Sequence, residues 1–363
     1  MEHHTENILA TLARDMARFD PFPIEPMGGD QWLLASALQK SIRHGEVETA
    51  LRVGYALWLI DRQRFWRRLH ITAMEDMGVA DTNALIKTLT ATAHPYWRRK
   101  QGDARVGLYL IRLLCRSVKT RIADSLFSQA EKSPRYTVQR QALAQMKPDD
   151  LTSIITDTAS SLVERSLAIW FLAGTKKYPS DYLPVRAGDT DAAIAALYEL
   201  NVPEGLVGSC IGVMSRTPWP LAIMAPLIWQ YVEDQCEDVV VLKESITPVP
   251  SVGGIPLYAL DMFTRTGQAS FRQWQRSVPD LKQFSVKQIG HAVFYEESHL
   301  LDRRLASPAI DEFMEAGQMA DMHGIGLDLP DYLTLRDLVR GNMDMLQAIR
   351  AEQLRRYLDE GAA

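Results

Sequence analysis

Apolar residues recur at three- and four-residue steps along most of this chain, beginning with the stretch from Gln31 to Leu59. The same spacing continues in residues 83–93, 105–130, 149–175, 219–235 and 331–358. It places the apolar side chains on one face of a helix, whereas the alternation typical of strands is scarce. The one β-branched run, Val239–Leu242, is short. The pattern therefore predicts an all-α fold, a multi-helix or solenoid-like body with at most a short β-hairpin.

The length of the chain leaves two domain arrangements open. A single core stops growing at roughly 250–300 residues, so 363 residues can form one large helical domain or two of ordinary size. Proline and glycine residues around 180–205 mark a candidate boundary. We expect either a helical region 1–200 followed by a second helical region 201–363, or one continuous domain.

Composition excludes several classes of protein. Cys115, Cys210 and Cys236 lie far apart and form no CxxC pair, which argues against a disulfide framework or a zinc site and favours a reducing cytoplasm. The most apolar stretch, residues 206–229, is interrupted by Arg216 and by prolines. It is therefore too short for the ~20 apolar residues of a membrane span. We expect no membrane association.

One segment carries a family resemblance. Residues 31–85 contain a Ser-Ala-x-x-Lys-Ser-x-Arg helix, an Ala-Leu helix, and an Arg-Arg-Leu sequence followed by Glu-Asp-Met-Gly-x-Ala-Asp. This text resembles the helical collar that follows the ATPase lid in the RarA/MgsA family of DNA-maintenance ATPases. The matching residues are Ser36, Ala37, Lys40, Ser41, Arg43, Ala50, Leu51, Arg67, Arg68, Leu69, Glu75, Asp76, Gly78, Ala80 and Asp81.

The resemblance implies a collar-like helical scaffold and a role in DNA maintenance, without a motor. No GxxxxGK[ST] phosphate-binding loop occurs in the sequence, so ATP hydrolysis is not expected. We expect Glu75 and Asp76 to cap a helix or to pair with Arg67 and Arg68. A catalytic role for Glu75 is the alternative.

Basic residues concentrate in residues 97–140, although the whole chain carries a net charge of −5. Eleven basic and three acidic residues give this segment 11 − 3 = +8. Arg112, Arg116 and Lys119 are spaced to form one stripe on a helix, and such a stripe can follow the phosphates of a nucleic acid. A solvated helix face is the alternative. The predicted DNA-binding residues are Arg98, Arg99, Lys100, Arg112, Arg116, Lys119 and Arg121.

A candidate catalytic carboxylate lies in the segment 243–267, in which a Pro- and Gly-rich loop leads into the start of a helix. Asp261 lies four residues before Arg265, so an ion pair could keep it ionised, with Thr264 and Lys243 in support. A carboxylate of this kind stabilises the oxocarbenium-like state in which a glycosidic bond breaks. This segment also resembles phage and phage-defence proteins, including DNA glycosylases. Asp261 as a local cap, and a second cluster at Glu296, Glu297 and His299, are the alternatives.

Three functions remain open at this stage. The first is a cofactor-independent DNA glycosylase that flips a modified base and leaves an abasic site, acting in repair or antiviral defence. The second is a non-catalytic collar-like module that forms homo-oligomers or binds DNA. The third is a factor that binds and sequesters RNA or DNA. The expected partner in all three is nucleic acid, or in the second also the proteins of DNA replication. None of the three requires a metal or a cofactor.

Overall fold

The computed structural model of this chain describes residues 2–217 and 219–361, and these residues are mostly helical. In the first half the helices are α1 (Glu2–Asp15), α2 (Gln31–Arg43), α3 (Val47–Ile60), α4 (Arg62–Thr72), α5 (Thr82–Ala93), α6 (Pro95–Gln101), α7 (Asp103–Arg116), α8 (Ile122–Lys132), α9 (Thr137–Ala144), α10 (Pro148–Thr156) and α11 (Leu162–Ala173). In the second half they are α12 (Thr190–Glu199), α13 (Glu204–Val213), α14 (Leu221–Gln235), α15 (Arg265–Ser277), α16 (Val286–Val293), α17 (Pro308–Gly324), α18 (Leu329–Gly341) and α19 (Met343–Gly361). The predicted all-α class is confirmed.

The structure also contains short π-helical and 3-10 turns. Two π-helical turns, Ala73–Met77 and Phe294–Ser298, directly continue α4 and α16. The 3-10 turns are Gly78–Asp81, Pro134–Tyr136, Leu257–Ala259 and Pro279–Gln283. Since a π-turn inserts one extra residue into a helix, it rotates the side chains that follow it and is often found at functional sites.

The strands of the described residues form two small antiparallel pairs. β1 (Val240–Leu242) pairs with β4 (Arg304–Ala306), and β2 (Ser251–Val252) pairs with β3 (Ile255–Pro256). The β-branched run therefore forms a strand as predicted, but its partner lies more than sixty residues away and not in a local hairpin. Lys119 adds a single parallel bridge to Arg304 on the other side of β4.

Side-chain caps explain where several helices begin. Asp30 accepts hydrogen bonds from the backbone N–H groups of Trp32 and Leu33 at the start of α2, and Asp81 accepts from Ala84 at the start of α5. These carboxylates satisfy N–H groups that have no partner inside the helix. After α2, Gly45 has a φ of 73°, and a side chain there would meet Asp302, so only glycine suits this turn.

The buried apolar residues form a main core and a smaller one. The main core joins helices from both sides of residue 200, for example Leu38 of α2, Trp170 of α11 and Ile223 of α14. The smaller core is formed by residues 271–349, around Phe271, Trp274 and Leu335. The division between the two cores does not coincide with the predicted boundary near residue 200.

The apolar stretch 206–229 divides between α13 and α14, and much of it is buried in the main core. Within the described residues, no helix combines the length and the apolar character that crossing a bilayer requires.

Candidate nucleic-acid interface

A cleft of about 540 Å³ opens beside α4, and five of the eleven residues that line it are arginines. Along α4, Arg62, Trp66 and His70 follow one another at four-residue steps, so one face of this helix forms one wall. Gln63 and Arg67 flank this face. The opposite walls come from Thr92, Arg98, Arg99, Asp103, Ser215 and Arg216, which belong to the end of α5, to α6, to the start of α7 and to the loop after α13.

Asp103 is the one acidic residue among those that line the cleft, and its charge is already compensated. Its Oδ2 accepts hydrogen bonds from the indole Nε1 of Trp58 at 2.7 Å and of Trp66 at 3.1 Å, while Oδ1 accepts from Nε of Arg98 at 3.0 Å. Two indole donors hold this carboxylate in place, and Arg98 is its ion-pair partner. The carboxylate does not neutralise the other arginines of the cleft.

Arg98 has a structural position at the back of the cleft. Its Nη1 donates to the carbonyl oxygens of Ala91 and Thr92 in the last turn of α5. Its guanidinium also stacks on the ring of Trp66 at 3.8 Å. Only 7% of Arg98 is exposed, so it orients the wall and contributes little to the open surface.

Four further arginines supply the positive charge of the open surface. Arg62, Arg67, Arg99 and Arg216 are exposed, and none of them forms an ion pair with an acid in the described part of the chain. Arg62 stacks on Trp58 at 4.2 Å, and Arg216 donates to the carbonyl of Ala93 at 3.2 Å. Their uncompensated charges converge on one concave surface, which is an arrangement suited to a polyanion.

His70 contributes an uncharged acceptor beside these cations. Its Nδ1 donates to the carbonyl of Trp66 at 2.8 Å. Burial, with smaller contributions from the nearby Arg67 and Arg216, lowers its pKa from 6.5 to about 4. The ring is therefore neutral at physiological pH. Its Nε2 is buried and has no hydrogen-bond partner among the described residues.

The predicted DNA-binding residues divide between surface and interior. Arg99 and Lys100 are exposed on α6, and Arg116 is exposed at the end of α7. Arg112 is half-buried and lies over the ring of Phe19 at 4.4 Å. Arg98 is buried in the cleft wall as described above.

The predicted stripe on α7 is wrong in its third member. The helix ends at Arg116, and Lys119 lies beyond it, fully buried and paired with Asp302 at 2.6 Å. Val118 and Thr120 are β-branched, which favours extended backbone here and allows Lys119 to pair with Arg304. Arg121 is also buried, between Asp76 and Asp124.

Asp261 lies in a tightly bonded junction between α2 and the loop before α15. Its Oδ2 pairs with Nζ of Lys40 and accepts from Oγ of Ser36 at 2.7 Å, while Oδ1 accepts from the backbone of Phe263 at 2.9 Å. Burial alone would raise the pKa of Asp261, but Lys40, Ser36 and the Phe263 N–H hold it below its ordinary value. Both carboxylate oxygens therefore have hydrogen-bond partners, which fits a structural role in holding α2 against the loop before α15.

The expected pair between Asp261 and Arg265 does not form. Thr264 is the N-cap of α15 and accepts from the N–H of Gly267 at 3.1 Å, so Arg265 is the first helical residue and Asp261 precedes the helix. Arg265 and Lys243 are both exposed, and neither contacts Asp261. The i and i+4 spacing is meaningful only inside a helix, which is why this expectation was wrong.

Glu75 and Asp76 lie in the first π-helical turn and are buried. Asp76 pairs with Arg43 at 3.0 Å and with Arg121, and Gln39 donates to Glu75 at 2.7 Å and to Asp76 at 3.0 Å. The expected partners Arg67 and Arg68 are elsewhere: Arg67 faces the cleft, and Arg68 donates to the side-chain oxygen of Gln39. Burial and the neighbouring Asp76 raise the pKa of Glu75 from 4.5 to about 7.

The second π-helical turn holds Glu296 and Glu297 and is followed by His299. Glu297 is buried and pairs with Arg350 at 2.8 Å, while Glu296 pairs with Arg340 at 2.5 Å. Nη1 of Arg43 donates to the carbonyl of Ser298 at 2.5 Å, so it connects the two π-helical turns. Burial holds the pKa of His299 well below its ordinary value. Of this cluster, Glu297 is buried, Glu296 and His299 are half-buried, and both glutamates form ion pairs.

The described residues contain no group of three or more His, Cys, Asp or Glu side chains placed to hold a metal ion. Scans of this chain against protein-family models, curated proteins and solved structures each found no match. The resemblance of residues 31–85 to the RarA/MgsA collar therefore stays a prediction.

Sequence reasoning found part of the cleft and missed the rest. Arg98 and Arg99 were among the predicted DNA-binding residues, but Arg62, Arg216 and His70 were not. The repetition of basic and aromatic residues at four-residue steps in α4 was a local signal for its wall. Arg216 has no such signal, because only the packing of α13 against α5 brings it to the cleft.

Proposed function

We propose that this chain binds nucleic acid through the basic cleft beside α4. The observation that carries the proposal is the convergence of Arg62, Arg67, Arg99 and Arg216 on one concave surface, whose single acid is ion-paired with Arg98. Guanidinium groups bind phosphate oxygens with two parallel hydrogen bonds, and phosphate contacts supply most of the sequence-independent affinity for nucleic acids.

The shape of the site favours a single strand over the edge of a rigid duplex. The cleft is concave and has the volume of a pocket for a small molecule or a few nucleotides. Trp58 and Trp66 support the arginines from behind and are themselves held by Asp103. The guanidinium of Arg62, stacked on Trp58, presents a flat cation on which an unpaired base can stack.

Base removal by a DNA glycosylase is a further hypothesis for the same protein, and it rests on sequence resemblance. The engagement of both Asp261 oxygens by Lys40, Ser36 and Phe263 supports a structural role for this carboxylate better than a catalytic one. The part of the proposal that the geometry supports is therefore binding. Bond cleavage would have to be shown by product analysis.

Binding is tested by fluorescence anisotropy with labelled single-stranded and duplex DNA. The variant carrying Arg67→Glu and Arg216→Glu reverses two charges of the cleft without touching the Asp103 contacts. We expect it to bind single-stranded DNA at least about tenfold more weakly, since each lost phosphate contact costs on the order of 1 kcal/mol.

The matched control carries Arg272→Glu and Arg276→Glu on α15. These arginines are also exposed, and the control changes the net charge by the same amount, but neither residue lines the cleft. It should bind nearly as the wild type does. Equal loss in both variants would mean that net charge, and not the cleft, governs binding, and an absence of wild-type binding would refute the proposal.

A further inference from the structure

The strand β1 exposes an uninterrupted apolar run. Val239, Val240, Val241 and Leu242 are 39%, 50%, 49% and 42% exposed. Because successive side chains of a strand point to opposite faces, both faces of β1 lie in solvent. Soluble proteins normally protect a strand at the edge of a sheet with charges, prolines or a covering element. This run has none of these inside it, which is typical of a surface that another chain covers.

The backbone pattern shows which groups of β1 remain free. The N–H of Leu305 donates to the carbonyl of Lys119 at 2.8 Å, and the N–H of Lys119 donates to the carbonyl of Arg303. The N–H of Leu305 and the carbonyl of Arg303 therefore point away from β1. In an antiparallel ladder the intervening residues then bond across the pair, namely Arg304 with Leu242 and Ala306 with Val240.

It follows that the N–H and C=O of Val241 point to the open edge of β1. Val239 and Lys243, two positions away on either side, point the same way where the strand continues. β1 has no second strand neighbour in the described residues. The open edge therefore combines unpaired backbone groups with exposed aliphatic side chains.

Charges at the two ends of the run indicate what can pair with it. Glu237 and Asp238 precede the run, and Lys243 follows it, all of them exposed. Glu244 is already bound, because it pairs with Arg304 at 2.7 Å and accepts from the N–H of Leu301 at 2.6 Å. The edge is thus acidic at its beginning and basic at its end.

We propose that the open edge of β1 pairs antiparallel with the same edge of a second copy of this chain. The result is a two-fold symmetric dimer with a four-stranded sheet in the order β4–β1–β1–β4. Antiparallel pairing brings Lys243 of each copy towards Glu237 and Asp238 of the other, whereas parallel pairing would place like charges together. A self-complementary patch of this kind is what a two-fold interface requires.

This dimer is independent of the nucleic-acid proposal, since β1 contributes no residue to the basic cleft. It is tested by sedimentation velocity and by light scattering on the full chain over a range of micromolar concentrations. We expect the mass of the wild type to rise towards twice the chain mass of 40.9 kDa.

Two substitutions at Val241 should weaken pairing at the open edge of β1 by different mechanisms. Val241→Pro removes a backbone donor that points outwards, and so leaves the ladder with β4 intact. Val241→Lys places a charge on the edge, as natural edge strands do. Each should weaken the dimer at least about tenfold, a change of about 1.4 kcal/mol. Val185→Lys, at a site 78% exposed in a loop, is the matched control and should remain dimeric.

A charge swap tests the antiparallel direction. Lys243→Glu should weaken the dimer, and adding Glu237→Lys together with Asp238→Asn should restore it, because the beginning of the run is then basic and its end acidic. Thermal melting by circular dichroism shows that each variant is folded. A wild type that stays monomeric throughout the range would overturn the proposal, as would a dimer that neither Val241 substitution weakens or a charge swap that fails to restore it.

Discussion

The indole Nε1 of Trp66 donates a hydrogen bond to Oδ2 of Asp103 at 3.1 Å, and it helps to hold this carboxylate in its ion pair with Arg98. Trp58 and Arg98 also donate to this carboxylate, and the exposed arginines form no ion pair with it. Arg62, Arg67, Arg99 and Arg216 are consequently left for a ligand. The cleft therefore stays basic although the half-buried Asp103 is part of its lining.

Replacing Asp103 should separate its structural role from its charge. In Asp103→Asn, the amide can no longer accept from three donors at once, so we expect the free energy of unfolding to fall by about 2 kcal/mol. Removing a negative charge from the cleft should at the same time tighten DNA binding a few-fold. Urea denaturation and anisotropy measure the two effects. Asp150→Asn, on an exposed site of α10, is the control; equal stability of the two variants would contradict the hydrogen-bond account.

Glu75 should make stability depend on pH. Its pKa is raised from 4.5 to about 7, so the folded state binds a proton more tightly than the unfolded state does. The stabilisation is fully present below pH about 4.5 and is lost as the pH rises through about 7. Glu75→Gln should remove this dependence and be more stable than the wild type at pH about 8. If the free energy of unfolding depended on pH in the same way in both proteins, the pKa of Glu75 would not be raised.

Substitution of Lys119 should lower the stability of the fold far more than substitution of Arg116. Lys119→Ala leaves Asp302 without its partner and opens a buried space, so we expect a loss of about 3 kcal/mol in the free energy of unfolding. Arg116→Ala, at an exposed position three residues earlier, should change it by less than about 0.5 kcal/mol. Similar effects of the two substitutions would contradict the placement of Lys119 in the interior.

Asp261→Asn tests both readings of this carboxylate. The structural role predicts a loss of about 3 kcal/mol in the free energy of unfolding, because Lys40 stays buried without a counter-charge. The glycosylase hypothesis predicts that the folded variant keeps DNA binding and loses the formation of alkali-labile sites on base-modified DNA. Unchanged base release would eliminate Asp261 as the catalyst.

The helical fold was predictable because its information is local. Apolar spacing predicted α2 and α3, and Asp81 caps α5 as such a residue should before a helix. The β-branched run 239–242 likewise predicted the strand Val240–Leu242. What the sequence could not show was the partner of that strand, because β4 is distant in the chain and carries no β signal of its own.

The candidate site was less predictable because it depends on distant contacts and on where helices end. Charge counting treated every base of 97–140 alike, yet Lys119 and Arg121 are buried and pair with Asp302 and Asp76, while Arg116 is exposed. The distinction depends on Asp76 and Asp302, which lie outside that segment. Arg216 reaches the cleft from the loop after α13, and no spacing rule connects it with Arg67.

The salt dependence of single-stranded DNA binding tests the central claim most directly. Each phosphate contact contributes about 0.7 to the slope of log K against log salt, so four arginines should give a slope of about −3. The Arg67→Glu, Arg216→Glu variant should lose roughly half of that slope, and the Arg272→Glu, Arg276→Glu control should keep it. A wild-type slope near zero, or the same loss of slope in the control, would contradict binding in the basic cleft.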